Sequence, residues 1–272
     1  MVPLLTQVLY RNKYIVTSNN NFIDKPIYLC NTANNMNNTT KLLTFHGLCH
    51  LMLIPAFMYG ELWMFLASFL WWQWIAATSI SAGYHRYFSH KSFKTGKWYR
   101  WYVQLMALFS NPGPVLTWAS THRMHHAHSD TDQDPHSPKY KGFWRVYMNT
   151  WGNRVTIKRK YLKDLLKDNS VSFFYKHYFK LLTALAVVLF VIDPLLLVFG
   201  LGVPVVFAFH GYALINAWTH RSGQPVNSWL ANIFTAGEGW HENHHKESYN
   251  WRIGWEWWQL DTAAWFIRLI KY

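Results

Sequence analysis

Cysteine is scarce in this chain, and so is charge. Only 2 of the 272 residues are cysteine, too few for a disulfide framework and unfavourable for a structural zinc site, which usually includes cysteine. Charged residues make up 14% of the chain, against roughly 25% in soluble domains. Apolar residues reach 51% and aromatic residues 19%, so the composition favours a membrane protein with an interfacial aromatic belt.

Acidic residues are the scarcer charged class. There are 13 of them against 26 lysines and arginines, which gives a formal net charge of +13. Such an excess occurs in nucleic-acid-binding proteins. Here, however, the basic residues crowd into segments beside long apolar runs, as in the cytoplasmic loops of membrane proteins. We therefore expect the bilayer, and no nucleic acid, as a partner.

Two long apolar runs, at about 42–84 and 178–218, dominate the rest of the chain. Each fits two membrane helices, because a bilayer core needs about 20 apolar residues per helix. The first run turns near Tyr59–Glu61 and the second at Asp193–Pro194. We predict an all-α integral membrane protein with four transmembrane helices in two hairpins. The expected spans are about 43–60, 62–84, 178–192 and 195–217.

Two hairpins place all the polar segments on one side of the membrane. Residues 1–41 form a polar N-terminal arm, and 42–272 form one domain whose helical cap comprises 85–177 and 218–272. Positive charge near span ends marks the cytoplasmic side. We therefore expect the cap and both termini to be cytoplasmic. The basic residues of the central segment include Arg145, Arg154, Lys158, Arg159, Lys160, Lys163 and Lys167.

Eight of the 15 histidines lie in three clusters, at 85–90, 122–126 and 241–245. In the second and third clusters the spacing i, i+3, i+4 places the imidazoles on one side of a helix. The predicted topology brings all three clusters to the same face of the membrane. Imidazole is the commonest metal ligand, and many histidines without cysteine suit a two-metal centre. Iron, copper, zinc and nickel all accept imidazole, so spacing alone leaves the metal open.

The spacing His-x4-His, His-x2-His-His and His-x2-His-His, at the ends of paired spans, resembles that of the membrane fatty acid desaturases over about residues 42–265. The strings around the second and third boxes, Trp118–His136 and Gly237–Asp261, are similar to those of the Δ9, stearoyl-type branch. The resemblance implies a four-span fold with a cytosolic cap. It also implies two iron ions that activate O2 and remove hydrogens from an unactivated C–C bond.

The family pattern adds a ninth histidine and an asparagine that reaches iron through water, in an Asn-x3-His pattern after the fourth span. Asn216 and His220 match that pattern here. The ligand set implied by the resemblance is His85, His90, His122, His125, His126, His220, His241, His244 and His245, with Asn216 through a water.

Further residues are expected to support the ligands or the substrate. A metal-bound histidine usually donates its other N–H to a carboxylate or carbonyl. Candidates for this orienting role are Asp130, Asp134, Glu238 and Glu242, and we expect His136 to support the second box without ligating. Candidates for the lining of an acyl tunnel are Trp118, Phe69 and Gln73. Packing against a neighbouring helix is the alternative for the last two.

The acyl carrier is left open between a lipid and CoA. Acyl-CoA enzymes of the family carry Arg-Asp directly before the second box, whereas this chain has Ser120–Thr121, which is more similar to acyl-lipid desaturases. The basic 139–167 segment suits CoA phosphates and anionic lipid headgroups alike. We expect a separate electron donor of the ferredoxin or cytochrome b5 type, and a cationic cap favours an acidic donor.

The predicted function is O2-dependent insertion of a cis Δ9 double bond into a saturated fatty acyl chain. A related membrane di-iron hydroxylase or ketolase, with similar histidine boxes, is the alternative. A metal transporter would place histidine and aspartate along a path at mid-bilayer. The predicted spans are nearly free of ionisable residues apart from Glu61 and Asp193 at the turns, which disfavours that reading.

Overall fold

The computed structural model describes residues 38–149 and 159–272. Within these ranges the regular structure is helical and no strand is found, so the all-α prediction is confirmed for them. Residues 1–37 of the predicted N-terminal arm lie outside the described residues. The α-helices are α1 (Asn38–Leu51), α2 (Leu53–Tyr59), α3 (Leu62–Ile75), α4 (Trp98–Ala107), α5 (Val115–His128), α6 (Pro138–Lys141), α7 (Phe143–Tyr147), α8 (Asn169–Ile192), α9 (Pro194–Leu197), α10 (Val203–Ala213), α11 (Trp229–Thr235), α12 (His241–Lys246) and α13 (Thr262–Ile270).

Three segments continue these helices with the wider π-helical winding. Ala76–Ser89 follows α3 directly, Val198–Gly202 joins α9 to α10, and Leu214–Trp218 follows α10. Short 3-10 turns occupy Arg159–Tyr161 and Leu165–Lys167. π-Helical turns are rare and concentrate at functional sites, and two of these segments lead directly into predicted metal ligands.

Among the described residues, three helical stretches are long and apolar enough to cross a bilayer: Thr39–Tyr59, Asn169–Ile192 and Pro194–Trp218. The remaining predicted span, 62–84, corresponds to α3 and its π-helical continuation to Ser89. α8 begins nine residues before the predicted span because Asp168 caps it, accepting hydrogen bonds from the Ser170 and Val171 N–H groups. The predicted turn at Asp193 coincides with a break between helices, since this residue ends α8 and caps α9.

The stem helices are tied together by side-chain hydrogen bonds to main-chain carbonyls. Ser68 donates to the Phe199 carbonyl at 2.6 Å, and Trp71 donates to the Gly200 carbonyl at 3.2 Å. These bonds join α3 to the π-helical segment before α10. The far half of α8 instead exposes an apolar stripe that fits contact with lipid: Val187, Val188, Phe190, Val191 and Ile192.

The main core surrounds the π-helical segment Ala76–Ser89, in which all residues except Tyr87 are buried. Its small residues allow close packing; a Cβ on Gly83 would lie 2.5 Å from Val103 of α4. Two hydrogen bonds fix the same contact, from Ser79 to the Val103 carbonyl and from Tyr99 to the Thr78 carbonyl, both 2.7 Å. α5 and α13 pack on the same segment, so the first histidine box is held at the centre of the cap.

Candidate metal centre

The first histidine box owes its geometry to the π-helical winding. In an α-helix of 3.6 residues per turn, residues five apart point about 140° away from each other. His85 and His90 are instead linked by an i to i+5 hydrogen bond, from the His90 N–H to the His85 carbonyl at 3.1 Å. Their rings consequently lie on one side of the helix, with centroids 4.9 Å apart.

The second and third boxes lie on α5 and α12. In both, the i and i+4 histidines point to one metal-binding group and the i+3 histidine points to another. The five-histidine cluster comprises His85, His90, His122, His126 and His244. The four-histidine cluster comprises His125, His220, His241 and His245. Within each cluster the potential ligand atoms lie within 4.8 Å of one another, and together the clusters hold the nine predicted histidines.

Ring nitrogens face each other within the five-histidine cluster. The Nε2 atoms of His85 and His244 lie 2.9 Å apart, and so do those of His126 and His244. The Nε2 atoms of His90 and His122 are 2.8 Å apart. Nitrogens that converge in this way from three separate segments have the arrangement of ligands around one metal ion.

The four-histidine cluster has the same inward orientation. The Nε2 atom of His241 lies 2.9 Å from that of His220 and 3.2 Å from that of His245. The Nε2 atoms of His125 and His245 are 3.3 Å apart. The two clusters are neighbours, because the rings of His126 and His245 stack with centroids 4.4 Å apart.

Burial favours the neutral, metal-binding form of most rings in the two clusters. Burial lowers the pKa of His122, His125 and His241 well below its ordinary value, and the neighbouring imidazoles lower it further. The same causes act on the pKa of His244, and they bring that of His126 to about 3. A neutral imidazole keeps a nitrogen lone pair available for a cation. The donor set therefore fits two metal ions with nitrogen ligands.

Two carboxylates orient rings of the four-histidine cluster from outside. His125 Nδ1 lies 2.9 Å from Asp134 Oδ2, and His220 Nδ1 lies 2.9 Å from Asp130 Oδ2. Asp134 is itself fixed, since it accepts the main-chain N–H groups of Asp130 (2.9 Å) and His136 (3.0 Å). Donation from Nδ1 leaves Nε2 free to face the cluster. Both acids were among the predicted orienting residues.

Glu238 has the corresponding place beside the five-histidine cluster, with Oε2 2.5 Å from His85 Nδ1. Burial alone would raise the pKa of Glu238, but His85 and then Arg86 lower it to about 2. Arg86 is buried and binds Glu238 at 3.3 Å and Asp261 at 2.9 Å. Sequence reasoning missed Arg86 and Asp261. The available signal was an arginine inside a buried box, because a buried arginine requires acidic partners.

Glu242, another predicted orienting residue, is placed differently. Its carboxylate lies 2.6 Å from Lys246 Nζ, one turn along α12, and both side chains are partly exposed. The contacts of this carboxylate are therefore with a surface lysine and not with an imidazole. The ring of His136 stacks on that of His125 at 4.3 Å, and His136 forms a further close group with His125 and Asp134.

Asn216 lies on the π-helical segment Leu214–Trp218, half-buried, four residues before His220. Trp118 stacks on His122 with centroids 5.1 Å apart, so it borders the five-histidine cluster. Phe69 packs edge-on against Phe207 at 5.3 Å. Gln73 lies on the same face of α3 and donates to the Ile233 carbonyl at 2.8 Å. Both α3 residues therefore point toward the neighbouring helices α10 and α11.

Comparison with known proteins identifies the family of the chain that carries this histidine-rich centre. A family model described as fatty acid desaturase matches residues 61–269, which include every histidine of both clusters. The chain belongs to the fatty acid desaturase family. The desaturase is therefore an oxidoreductase of lipid metabolism, in agreement with the resemblance seen in its histidine boxes.

The relatives of the desaturase act on differently carried acyl chains. It is 32% identical to an sn-1 stearoyl-lipid 9-desaturase of Anabaena variabilis over 236 residues, which cover 78% of this chain and 86% of the relative. It is 32% identical to an enzyme of the same name from Synechocystis sp., covering 75% and 68%. It is also 34% identical to an acyl-CoA 5-desaturase of Anemone leveillei, covering 73% and 65%. Family membership alone therefore leaves the carrier and the double-bond position undecided.

Proposed function

We propose that the desaturase binds two iron ions, one in each histidine cluster, and that Asn216 joins the four-histidine cluster through a water. The main support for this proposal is the division of the nine histidines into two adjacent groups, each with inward-facing nitrogens. When bound, the irons supply the O2 chemistry that no side chain can supply alone. Burial favours the neutral form of most of these rings, and Asp130, Asp134 and Glu238 hold the rings of His220, His125 and His85 in place.

The reaction we propose is O2-dependent insertion of a cis double bond at the Δ9 position of a saturated acyl chain. Two relatives at 32% identity are stearoyl-lipid 9-desaturases, which supports this position. Electrons come from a separate ferredoxin or cytochrome b5 type protein. A hydroxylase or ketolase would share the metal ligands but would leave oxygen in the product.

A lipid-linked acyl chain is the substrate we favour over acyl-CoA. Before the second box, Ser120 is fully buried and donates to the Leu116 carbonyl at 2.6 Å. This position therefore offers no charged group to a nucleotide. The stearoyl-lipid relatives support the same choice, whereas the acyl-CoA 5-desaturase keeps CoA as the second candidate.

We propose that the acyl chain passes Trp118 and ends near Phe69 and Gln73. Trp118 lies against His122, so a chain beside this ring would run next to the five-histidine cluster. Phe69 and Gln73 lie deeper, where α3 meets α10 and α11. Replacing Phe69 with alanine should lengthen the preferred acyl chain. An unchanged chain-length profile would show that Phe69 serves packing alone.

In the membrane we propose four spans, with α3 and its continuation as the fourth crossing besides the three most apolar stretches. The cap, the metal centre and both termini then lie on the cytoplasmic side, within one domain over 42–272. The supporting observation is that all nine histidines converge in a single place, which requires the segments that carry them to share one side.

Expression in a host whose lipids are saturated tests the whole proposal. Fatty acids of the lipid and CoA pools are extracted separately, and double bonds are mapped by mass spectrometry after derivatisation. We expect a new Δ9 double bond in the lipid pool and two irons per purified chain. Bound iron without any new double bond would contradict the proposed reaction, and an added hydroxyl or keto group would favour the alternative.

A further inference from the structure

A pocket opens on the surface of the cap directly above the four-histidine cluster. It has a volume of about 330 Å³ and is lined by Gln224, Pro225, Val226, Glu242, His245 and Lys246. One of these lining residues, His245, belongs to the metal-binding cluster itself. The pocket therefore brings the surface of the protein to within one imidazole ring of the centre.

His245 is half-buried, and its two edges have different surroundings. Its Nε2 atom faces inward, 3.2 Å from the Nε2 atom of His241 and 3.3 Å from that of His125. The opposite edge of the ring is then the one that borders the pocket. An electron that reaches this edge has only the conjugated ring to cross before it arrives at the metal ligand atom.

Basic side chains surround the mouth of the pocket. Lys246 lines it, and the aliphatic stem of Lys139 lies over Gly223, beside the lining residue Gln224. Arg221 is exposed in the same turn, with its guanidinium 4.0 Å above the Trp218 ring. We call Lys139, Arg221 and Lys246 the basic rim. Glu242 is the acid of the lining, and its ion pair with Lys246 at 2.6 Å offsets its charge.

We place the basic rim at the water-facing margin of the cap: Lys139 and Arg221 lie beside the exposed rings of Tyr140 and Trp218, and Trp218 ends a candidate membrane span. The pocket lining contains no large exposed apolar side chain, whereas α11 exposes Trp229, Leu230 and Ile233, and α13 exposes Trp265 and Leu269. Exposed aromatic and aliphatic residues of that kind mark the membrane-facing surface of a cap. Several acids of the cap are buried against histidine or arginine, among them Asp134, Glu238 and Asp261, which leaves its outer surface basic.

We propose that an acidic one-electron carrier protein docks on the basic rim and delivers electrons to the metal centre through His245. This inference rests on the proposed function and specifies where its electron donor binds. Each turnover removes two hydrogen atoms from the acyl chain. Two successive donor molecules each give one electron and leave oxidised, solvent supplies two protons, and one O2 is reduced to two waters.

The test measures electron transfer apart from desaturation. Iron-loaded, oxidised full-length protein in lipid nanodiscs is mixed without O2 or acyl substrate with a reduced plant-type [2Fe–2S] ferredoxin, and ferredoxin oxidation is followed by stopped-flow absorbance. At low ionic strength we expect Lys139→Glu and Arg221→Glu each to slow the second-order rate roughly tenfold, because electrostatic steering raises on-rates by about 10- to 1,000-fold. The difference should shrink at about 0.15 M salt.

Matched controls distinguish an effect of the basic rim on the rate from an effect of net charge and from damage to the metal centre. Lys94→Glu and Lys97→Glu make the same charge change on exposed lysines between the first box and α4 and should leave the rate within about twofold of wild type. Dithionite should reduce all variants equally, since a small reductant needs no docking surface. Equal slowing by rim and control variants, or an unchanged rate in both rim variants, would overturn the proposal. If the protein oxidises the donor but forms no double bond in the expression test, the proposed function is contradicted and the docking site is still supported.

Discussion

Both histidine clusters contain members of the second and third boxes, but they are held in place by different means. In the four-histidine cluster, Asp134 lies nine residues from His125 along the chain and is fixed by main-chain N–H groups of its own loop. In the five-histidine cluster, His85 depends on Glu238, which binds Arg86, and Arg86 also binds Asp261, 175 residues further along the chain. One cluster thus relies partly on local structure and the other on contacts across the whole cap.

This difference indicates how each cluster should respond to disruption. Local backbone hydrogen bonds survive small movements of distant segments, so the four-histidine cluster should tolerate them. A buried ion network loses much more when one member changes, because the remaining charge stays buried without its partner. The following predictions test this contrast, beginning with the largest expected effect.

Removal of one ligand from each cluster should abolish activity while keeping one iron. His244→Ala removes a ring that faces both His85 and His126, and His245→Ala removes one that faces His241 and His125. Each variant should bind about one iron and lose activity more than about 100-fold, since even indirect partners of metal ligands contribute 10- to 100-fold. Iron analysis and product formation measure both effects. Two tightly bound irons in either variant would refute the division into two sites.

Replacement of the orienting carboxylates should weaken iron binding by about 10- to 100-fold. We expect Glu238→Gln to be worse than Asp134→Asn, since it also removes an acid partner from buried Arg86. Competition with a chelator measures affinity, and thermal unfolding of the metal-free protein measures the ion network separately. Glu242→Gln is the matched control, because its carboxylate pairs with Lys246 on the surface. An equal loss in that control would contradict the assigned contacts.

Gly237→Ala should destabilise the protein by about 1–3 kcal/mol through backbone strain and should disturb the five-histidine cluster. Gly237 has φ +121°, and an added Cβ would lie 2.5 Å from Asp261 Oδ1. Gly142→Ala is the control, since this glycine also has positive φ (+90°) but no atom within 4 Å of an added Cβ. Chemical denaturation and chelator competition should show weaker iron binding only in the first variant. Equal effects on iron binding would leave backbone strain as the whole cause.

The smallest effect is expected at a histidine pair in the stem that resembles the metal clusters. The Nε2 atoms of His50 and His210 lie 3.3 Å apart, yet hydrogen bonds within the protein account for the pair. Tyr147 OH lies 3.1 Å from His210 Nδ1, and His50 Nδ1 donates to the His46 carbonyl at 2.7 Å. His210→Gln should therefore leave iron content unchanged. Loss of iron in this variant would show that the pair of His50 and His210 also binds metal.

Local patterns in the sequence predicted much of this architecture. Apolar runs predicted the stem and the turn at Asp193, and the histidine spacing predicted which histidines come together in the two clusters. The spacing did not predict how the boxes divide. Since i+3 and i+4 lie about 100° apart around a helix, His125 and His126 can face different clusters, and only the position of α5 decides that they do. Nor could a local pattern reveal that Arg86 meets Asp261, because their contact depends on how α13 packs.

The π-helical segment Ala76–Ser89 also restricts how the gene for this protein can vary. The i to i+5 hydrogen bonding of this segment keeps the His85 and His90 side chains on one side of the helix. The preceding helix α3 has the ordinary 3.6 residues per turn. A substitution leaves the rotation of α3 relative to the histidines unchanged. Deletion of a single residue in this segment would rotate α3 relative to the histidines and would move exposed apolar side chains of α3, such as Leu66, Leu70 and Trp74, away from the surface that they now occupy. The length of this segment should therefore be under stronger selection than most of its individual side chains.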